Sequence, residues 1–292
     1  MATNRLERSL KATFLGMGVN AALTASKFAA GILGRSHALI ADAVESTADI
    51  FSSIIVWRGI AVAAEPADRE HPYGHGKAEP LAAASVAIMQ LLAALGIILK
   101  SAQDLAQPRD RPRAFTLFVL IAVVIVKELL YRFVSREADS VESLVVYADA
   151  WHHRSDAITS LAAAIGISVA LVGGPGLAFA DDAAAIIAGL IIAFNGWQSL
   201  RPALSELMDA APSAAVISQI RSAAGGVAGV RAVEKCIVRK AGFQYFVDMH
   251  VEVDPAMTVR QAHQIAHQVK DRVRESLPTV HDVLVHIEPN GP

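Results

Sequence analysis

Two short polar stripes carry most of the chemistry in this chain. Asp42, Glu45 and Asp49 are three and four residues apart, and so are Asp149, His152 and Asp156. Residues at those spacings share one face of a helix, so each set forms a single stripe. Glu45 with Asp49, and His152 with Asp156, are each four apart and can converge on one ion. Three carboxylates and one imidazole make a four-coordinate oxygen and nitrogen set that suits zinc and also accepts iron(II) or manganese(II). His153 lies three residues from Asp156, so spacing alone leaves His152 and His153 both open as the nitrogen donor. A further constellation occupies residues 65–79. There Asp68, His71 and His75 stand among Pro66, Pro72, Gly74 and Gly76, the residue types of a shaped turn.

Composition identifies the elements that hold these groups. Of 292 residues 53% are hydrophobic and only 18% charged, with a mean hydropathy of +0.41. A soluble globular chain is about a quarter charged, so the composition argues against a soluble enzyme and a disordered chain. A net charge of −2 leaves no basic footprint for nucleic acid. The lone Cys236 excludes an intramolecular disulfide and reads as a small buried residue rather than a ligand. Six apolar stretches, at residues 12–33, 37–64, 80–99, 114–134, 144–172 and 183–200, reach or approach the length that spans a bilayer as a helix. The first is too long for the apolar core of a signal peptide.

After Arg201 the character changes at Pro202 and Pro212 to a polar, mixed segment. The expected fold is therefore an all-α, six-helix transmembrane domain over residues 1–208, followed by a small α+β cytoplasmic domain over 209–292. Arg5, Arg8 and Lys11 favour a cytoplasmic start, and six crossings return the tail to the same side. Lys100, Arg109, Arg111 and Arg113, between the third and fourth stretches, run against that orientation.

Ionisable groups at membrane depth are expensive and normally face a cavity or one another. Asp49 and Asp156 have apolar sequence on both sides and fit that functional reading best. Asp42 and Asp149, nearer their segment ends, also suit an interfacial position. Lys27 and the Lys127–Glu128 pair are expected to snorkel to the boundary.

The tail reads as helix, strand, strand, helix, strand. Tyr245, Val247, Met249, Val251 and Val253 alternate with polar residues, which is the period of a sheet with one covered face. Val259, Ala262, Ile265, Ala266, Val269 and Val273 form the apolar stripe expected of the second helix, and Val283, Val285 and Ile287 the core side of the last strand. That αββαβ order is compatible with a small ferredoxin-like sheet. His250, His286 and Glu288 fall on the solvent side of their strands, and His263 and His267 are four apart on the helix.

Residues 41–49, 71–79 and 148–156 together resemble the cation diffusion facilitator, or cation efflux, family, and the resemblance extends over nearly the whole chain. It implies a transport site at Glu45, Asp49, His152 and Asp156, which favours His152 over His153. It further implies a loop site at Asp68, His71 and His75, and a charge pair between Lys77 and Asp209. In the tail it implies a regulatory site at His250, His263, His286 and Glu288, with Glu234 where the family's first-strand histidine usually stands. Glu45 departs from the Asp or His typical of zinc-transporting members. The implied activity is export of a divalent metal, with Zn2+ first and Fe2+ or Mn2+ as alternatives, in exchange for protons and usually as a homodimer. The expected partners are the lipid bilayer, metal ions and protons, with a bacterial inner membrane as the address and both termini cytoplasmic. Two rival readings are an intramembrane metal-dependent hydrolase and a metal-binding assembly protein. The chain lacks the histidine-glutamate-x-x-histidine motif that would supply a metalloprotease base.

Overall fold

The computed structural model describes residues 2–105, 112–141, 144–173 and 175–291; the side chains of residues 2–16, 53, 137–141, 144–153, 155 and 175 fall outside the description. Six long helices come first: α1 (Ala2–Gly34), α2 (His37–Ala63), α3 (Ala78–Leu105), α4 (Phe115–Val141), α5 (Leu144–Val172) and α6 (Phe179–Leu207). Each contains one of the six apolar stretches almost whole. Helices are what such stretches must form, because hydrocarbon offers a backbone N–H or C=O no partner outside its own segment. Among the described residues, α3 and α6 are long and apolar enough on their own to cross a bilayer. In α2 the acids Asp42, Glu45 and Asp49 dilute the apolar character.

The sixth element corrects one boundary. The change of character at Pro202 does not end α6, which runs on to Leu207 with Pro202 inside it. Proline lacks the N–H of an interior helical residue but does not forbid the helix when neighbouring packing holds it. Asp209, just beyond the end, takes a left-handed φ of 56°.

The chain forms two compact units. One comprises residues 1–55 and 85–199, and the other residues 56–84 and 200–292. In the first, α4 packs on α5 and on α1, around Ala30, Ala38, Leu39, Leu120, Ala163, Ala164 and Ile167. Small residues let these helices approach closely, as membrane helices require. A Cβ added at Gly166 of α5 would lie 2.2 Å from Ala184 Cβ of α6. The outward faces are apolar: Phe118 is 71% exposed and Phe194 64%, the surface of a helix bundle solvated by lipid.

The second unit contains α7 (Ala214–Gly225), β1 (Ala232–Ala241), β2 (Gln244–Val253), α8 (Val259–Ser276) and β3 (Val280–Pro289). The sheet order is β1-β2-β3, with β1 antiparallel and β3 parallel to β2. This is the expected αββαβ arrangement. Gly242 turns the β1–β2 hairpin at φ 60°, where a Cβ would also meet the Gly76 carbonyl at 2.9 Å. Thr258 and Gln261 form a capping box that starts α8. Val247, Met249, Val251 and Val253 pack with Ile265, Val269 and Val273 of α8 and Ile220 of α7. Val259 departs from its expected place in the buried stripe and is 87% exposed. At about 100° per residue it stands roughly 120° around the helix from Ile265, so it misses the sheet.

The close α5–α6 contact makes a testable pair of substitutions. Gly166→Val should destabilise the detergent-solubilised protein by about 1–3 kcal/mol through overpacking, read as a lower Tm. Gly96→Ala, whose Cβ would meet nothing within 4 Å, should stabilise helix α3 by about 0.5–1 kcal/mol. Equal effects of the two would contradict the packing described.

Candidate metal centres

Helices α2, α3, α5 and α6 enclose a small cavity of about 100 Å³ lined by Glu45, Ala48, Asp49, Gln90, Asp156, Ile192 and Asn195. Glu45 and Asp49 reach it from one face of α2, as their spacing requires, and Asp156 faces them from α5. The side chains of His152, His153 and Asp149 lie outside the described residues, so the nitrogen donor stays as open as spacing left it. Gln90 of α3 and Asn195 of α6 add two carboxamides to the lining.

Two buried lysines change the reading of these acids. Lys127 is fully buried and its ammonium is bonded to Asp156 Oδ2. Lys27 is equally buried and lies 2.6 Å from Asp42 Oδ2. Its Nζ also donates to Ser46 and Ser160, each at 3.1 Å, and Ser160 Oγ donates to Asp42 Oδ1 at 2.9 Å. Neither lysine snorkels, and Asp42 is an interior group rather than an interfacial one. A lysine stem is long enough to reach water from mid-helix, but here a carboxylate on a neighbouring helix is nearer. Glu128, by contrast, pairs with Arg132 at 2.8 Å on a more exposed face. The acidic stripe of α2 thus divides: Asp42 is matched by Lys27, while Glu45 and Asp49 line the cavity.

The α2–α3 loop brings Asp68, His71 and His75 together, with donor atoms of all three within 4.8 Å of one another. Asp68 Oδ1 accepts N–H bonds from Glu70 at 2.8 Å and His71 at 2.6 Å. The His71 N–H, more than any other group, holds the Asp68 carboxyl below its usual range. His71 Nδ1 lies 3.3 Å from Asp68 Oδ1, and His75 Nε2 3.5 Å from Oδ2. At the end of the same loop Lys77 Nζ donates to Asp209 Oδ1 at 2.6 Å and to the Glu206 carbonyl at 2.5 Å.

In the tail, His250, His286 and Glu288 converge. His250 Nδ1 is 2.7 Å from Glu288 Oε1 and 3.9 Å from Glu234 Oε2, and His286 Nε2 is 3.5 Å from Glu288 Oε1. Glu234 and Glu288 share a hydrogen bond that raises the first carboxyl and lowers the second. His263 does not join this cluster. It sits on α8, which packs against the Val247, Met249 and Val251 face of the sheet, whereas His250 alternates onto the other face. Its Nε2 lies 3.1 Å from that of His267. Cys236 packs beside the tail core, and burial raises its thiol.

Comparison with known proteins identifies the whole. Residues 13–208 match the cation efflux transmembrane domain, and residues 212–290 match the cation efflux protein cytoplasmic domain. The chain is 28% identical to the manganese efflux system protein MneP of Bacillus subtilis (strain 168), over 99% of each. It is 29% identical to the magnetosome protein MamB of Magnetospira sp. (strain QH-2), over 93% of this chain and 92% of that one. Identity to metal tolerance protein C1 of Arabidopsis thaliana is 32%, over 94% of this chain but 61% of that longer protein. Among solved structures, the cadmium form of a MamM C-terminal domain variant is 33% identical over 27% of this chain and 98% of that one, with a TM-score of 0.26. The chain belongs to the cation efflux family, the cation diffusion facilitators, and is an integral membrane transporter rather than an enzyme.

Proposed function

We propose that this protein exports a divalent first-row metal from the cytoplasm by proton antiport, through a site made of Glu45, Asp49, His152 and Asp156. The observation that carries the reading is the cavity in which Glu45, Asp49 and Asp156 meet Gln90 and Asn195. Its charge balance supports a divalent substrate. In their deprotonated forms the three carboxylates exceed the Lys127 ammonium by two charges, which one divalent cation neutralises. The zinc expectation rested on four ligands. Two carboxamide oxygens in the same lining supply further hard donors and suit the higher coordination of manganese(II) and iron(II), so we rank those two ahead of zinc. The similarity to a manganese efflux protein supports including manganese in the panel.

The mechanism is alternating access. Facing the cytoplasm, the ligands bind the ion in their deprotonated forms, and Lys127 gives up Asp156 to it. Facing the other side, protons compete for the same groups and release the ion. The ion leaves, Lys127 recovers its carboxylate, and the neutralised site resets without carrying an unpaired charge through hydrocarbon. Residues 1–208 form the transport domain and 209–292 a cytoplasmic domain that dimerises. The Asp68, His71 and His75 loop is a second metal site, and Lys77 with Asp209 ties that loop to the start of the tail. Glu234, His250, His286 and Glu288 sense cytoplasmic metal. The address is a bacterial inner membrane with both termini cytoplasmic, as Arg5, Arg8 and Lys11 favour.

Reconstitution into proteoliposomes with an imposed pH gradient and a panel of manganese, iron and zinc tests this reading. Asp49→Asn should reduce metal flux to the protein-free background, and metal movement should drive protons the other way. Flux that survives Asp49→Asn, or that proceeds without proton counterflow, overturns it. Gln90→Leu and Asn195→Leu should each lower the manganese-to-zinc flux ratio about tenfold, the worth of roughly 1.4 kcal/mol; an unchanged ratio removes the carboxamides from the selectivity argument. In equilibrium dialysis, His250→Ala and His286→Ala should each abolish binding at the tail cluster while leaving Asp49-dependent flux measurable. Unaltered metal stoichiometry would remove that cluster as a sensor.

A further inference from the structure

Two histidines of the tail have no part in the mechanism above. His263 and His267 stand one turn apart on α8, and both are exposed. The helix buries Ile265, Val269 and Val273 in the tail core. At about 100° per residue the two histidines lie roughly 120–160° around the helix from the centre of that stripe, so both rings project into water. Ile265 falls between them in sequence and is anchored in the core, which fixes the backbone beneath the pair.

The two rings converge. His263 Nε2 lies 3.1 Å from His267 Nε2. The ring centroids are 4.6 Å apart and the planes nearly perpendicular, at 88°. Among the described residues neither ring makes another hydrogen bond or ion pair. A hydrogen bond between two exposed imidazoles only replaces one to water and contributes little. A divalent ion about 2.0–2.1 Å from each nitrogen holds the two donors about 2.9 Å apart at a right angle and about 3.4 Å apart at the tetrahedral angle. The measured separation falls between those limits, so a small tilt of the rings aims both lone pairs at one ion.

Histidines four apart on one helical face are also the zinc-binding part of the histidine-glutamate-x-x-histidine motif. Here Gln264 follows the first histidine, an amide in the place of the carboxylate base. The pair can therefore hold a cation but has no base with which to hydrolyse a substrate. Asp271, another four residues on and also exposed, continues the stripe and offers a carboxylate; water completes the coordination.

This donor set differs from that of the central cavity, where carboxylates and carboxamides predominate. Imidazole suits zinc, nickel(II) and copper(II), whereas oxygen-rich sets suit manganese(II). We propose that His263 and His267 form a second cation site of the tail, a two-histidine clamp for zinc, nickel(II) or copper(II) that manganese leaves empty. It is separate from the His250, His286 and Glu288 cluster. That cluster lies on the open face of the sheet, while α8 covers the other face and the clamp points away from it. The tail thereby meets metals of a different class from those ranked first for transport.

The test is nickel(II) binding to the full chain in nanodiscs, counted by equilibrium dialysis, with Tm measured on each metal-free variant. His263→Ala and His267→Ala should each remove one equivalent, and the two together no more than that one. The double variant His250→Ala/His286→Ala should retain it. Asp49→Asn should retain it as well, so failure of the transport reading leaves this result interpretable. His267→Ala/Gln268→His keeps the number of histidines but moves the second off the four-residue spacing, and should lose the equivalent with Tm preserved. Manganese(II) should bind the clamp at least tenfold more weakly than nickel(II). Full nickel stoichiometry in His267→Ala overturns the proposal. So does a loss in His263→Ala that His250→Ala/His286→Ala already accounts for, which would return His263 to the sheet cluster. Manganese bound as tightly as nickel overturns the assigned metal class.

Discussion

A carboxylate held among apolar helices must meet positive charge, and the helical domain is arranged around that requirement. Asp42 meets Lys27 and Asp156 meets Lys127, each lysine fully buried on a different neighbouring helix. Breaking one partner of such a pair leaves an uncompensated charge and is strongly destabilising. The two pairs therefore constrain which faces of α1 and α4 turn inward against α2 and α5. Glu45 and Asp49 line a cavity in the same interior with Asp156, and in the proposed reading the substrate cation joins them there. Under the proposed mechanism structure and transport rest on one electrostatic condition, met permanently at Asp42 and exchangeably at Asp156.

Much of this was legible in the residues alone, and what was not has a physical reason. The four-residue spacing of Glu45 and Asp49 marks one helical face without any tertiary knowledge. Gln90 and Asn195 carry no charge and stand singly in apolar runs, so only the convergence of α3 and α6 gives them meaning. Lys27 and Lys127 misled for a different reason. A long flexible stem permits snorkelling or burial equally, and the choice depends on a carboxylate elsewhere in the chain.

In the tail, strand parity did the sorting. Period-two alternation placed Val247, Met249, Val251 and Val253 on the covered face and His250 on the other, and the packing agrees. The same parity separates His263 from the His250 cluster, because α8 lies on the covered face. Helical periodicity was less reliable at its margin. Val259 is counted in the apolar stripe of α8 but sits in the first turn, rotated away from the sheet.

The position of the bound ion is the most direct mark of the transport site. Anomalous scattering at the manganese edge from manganese-loaded protein would locate it without reference to flux. The expected result is a peak in the α2, α3, α5 and α6 cavity within bonding distance of Glu45, Asp49 and Asp156, with Lys127 displaced from Asp156. A manganese-loaded protein with no peak in that cavity, or with the Lys127–Asp156 bond intact beside a bound ion, would contradict it.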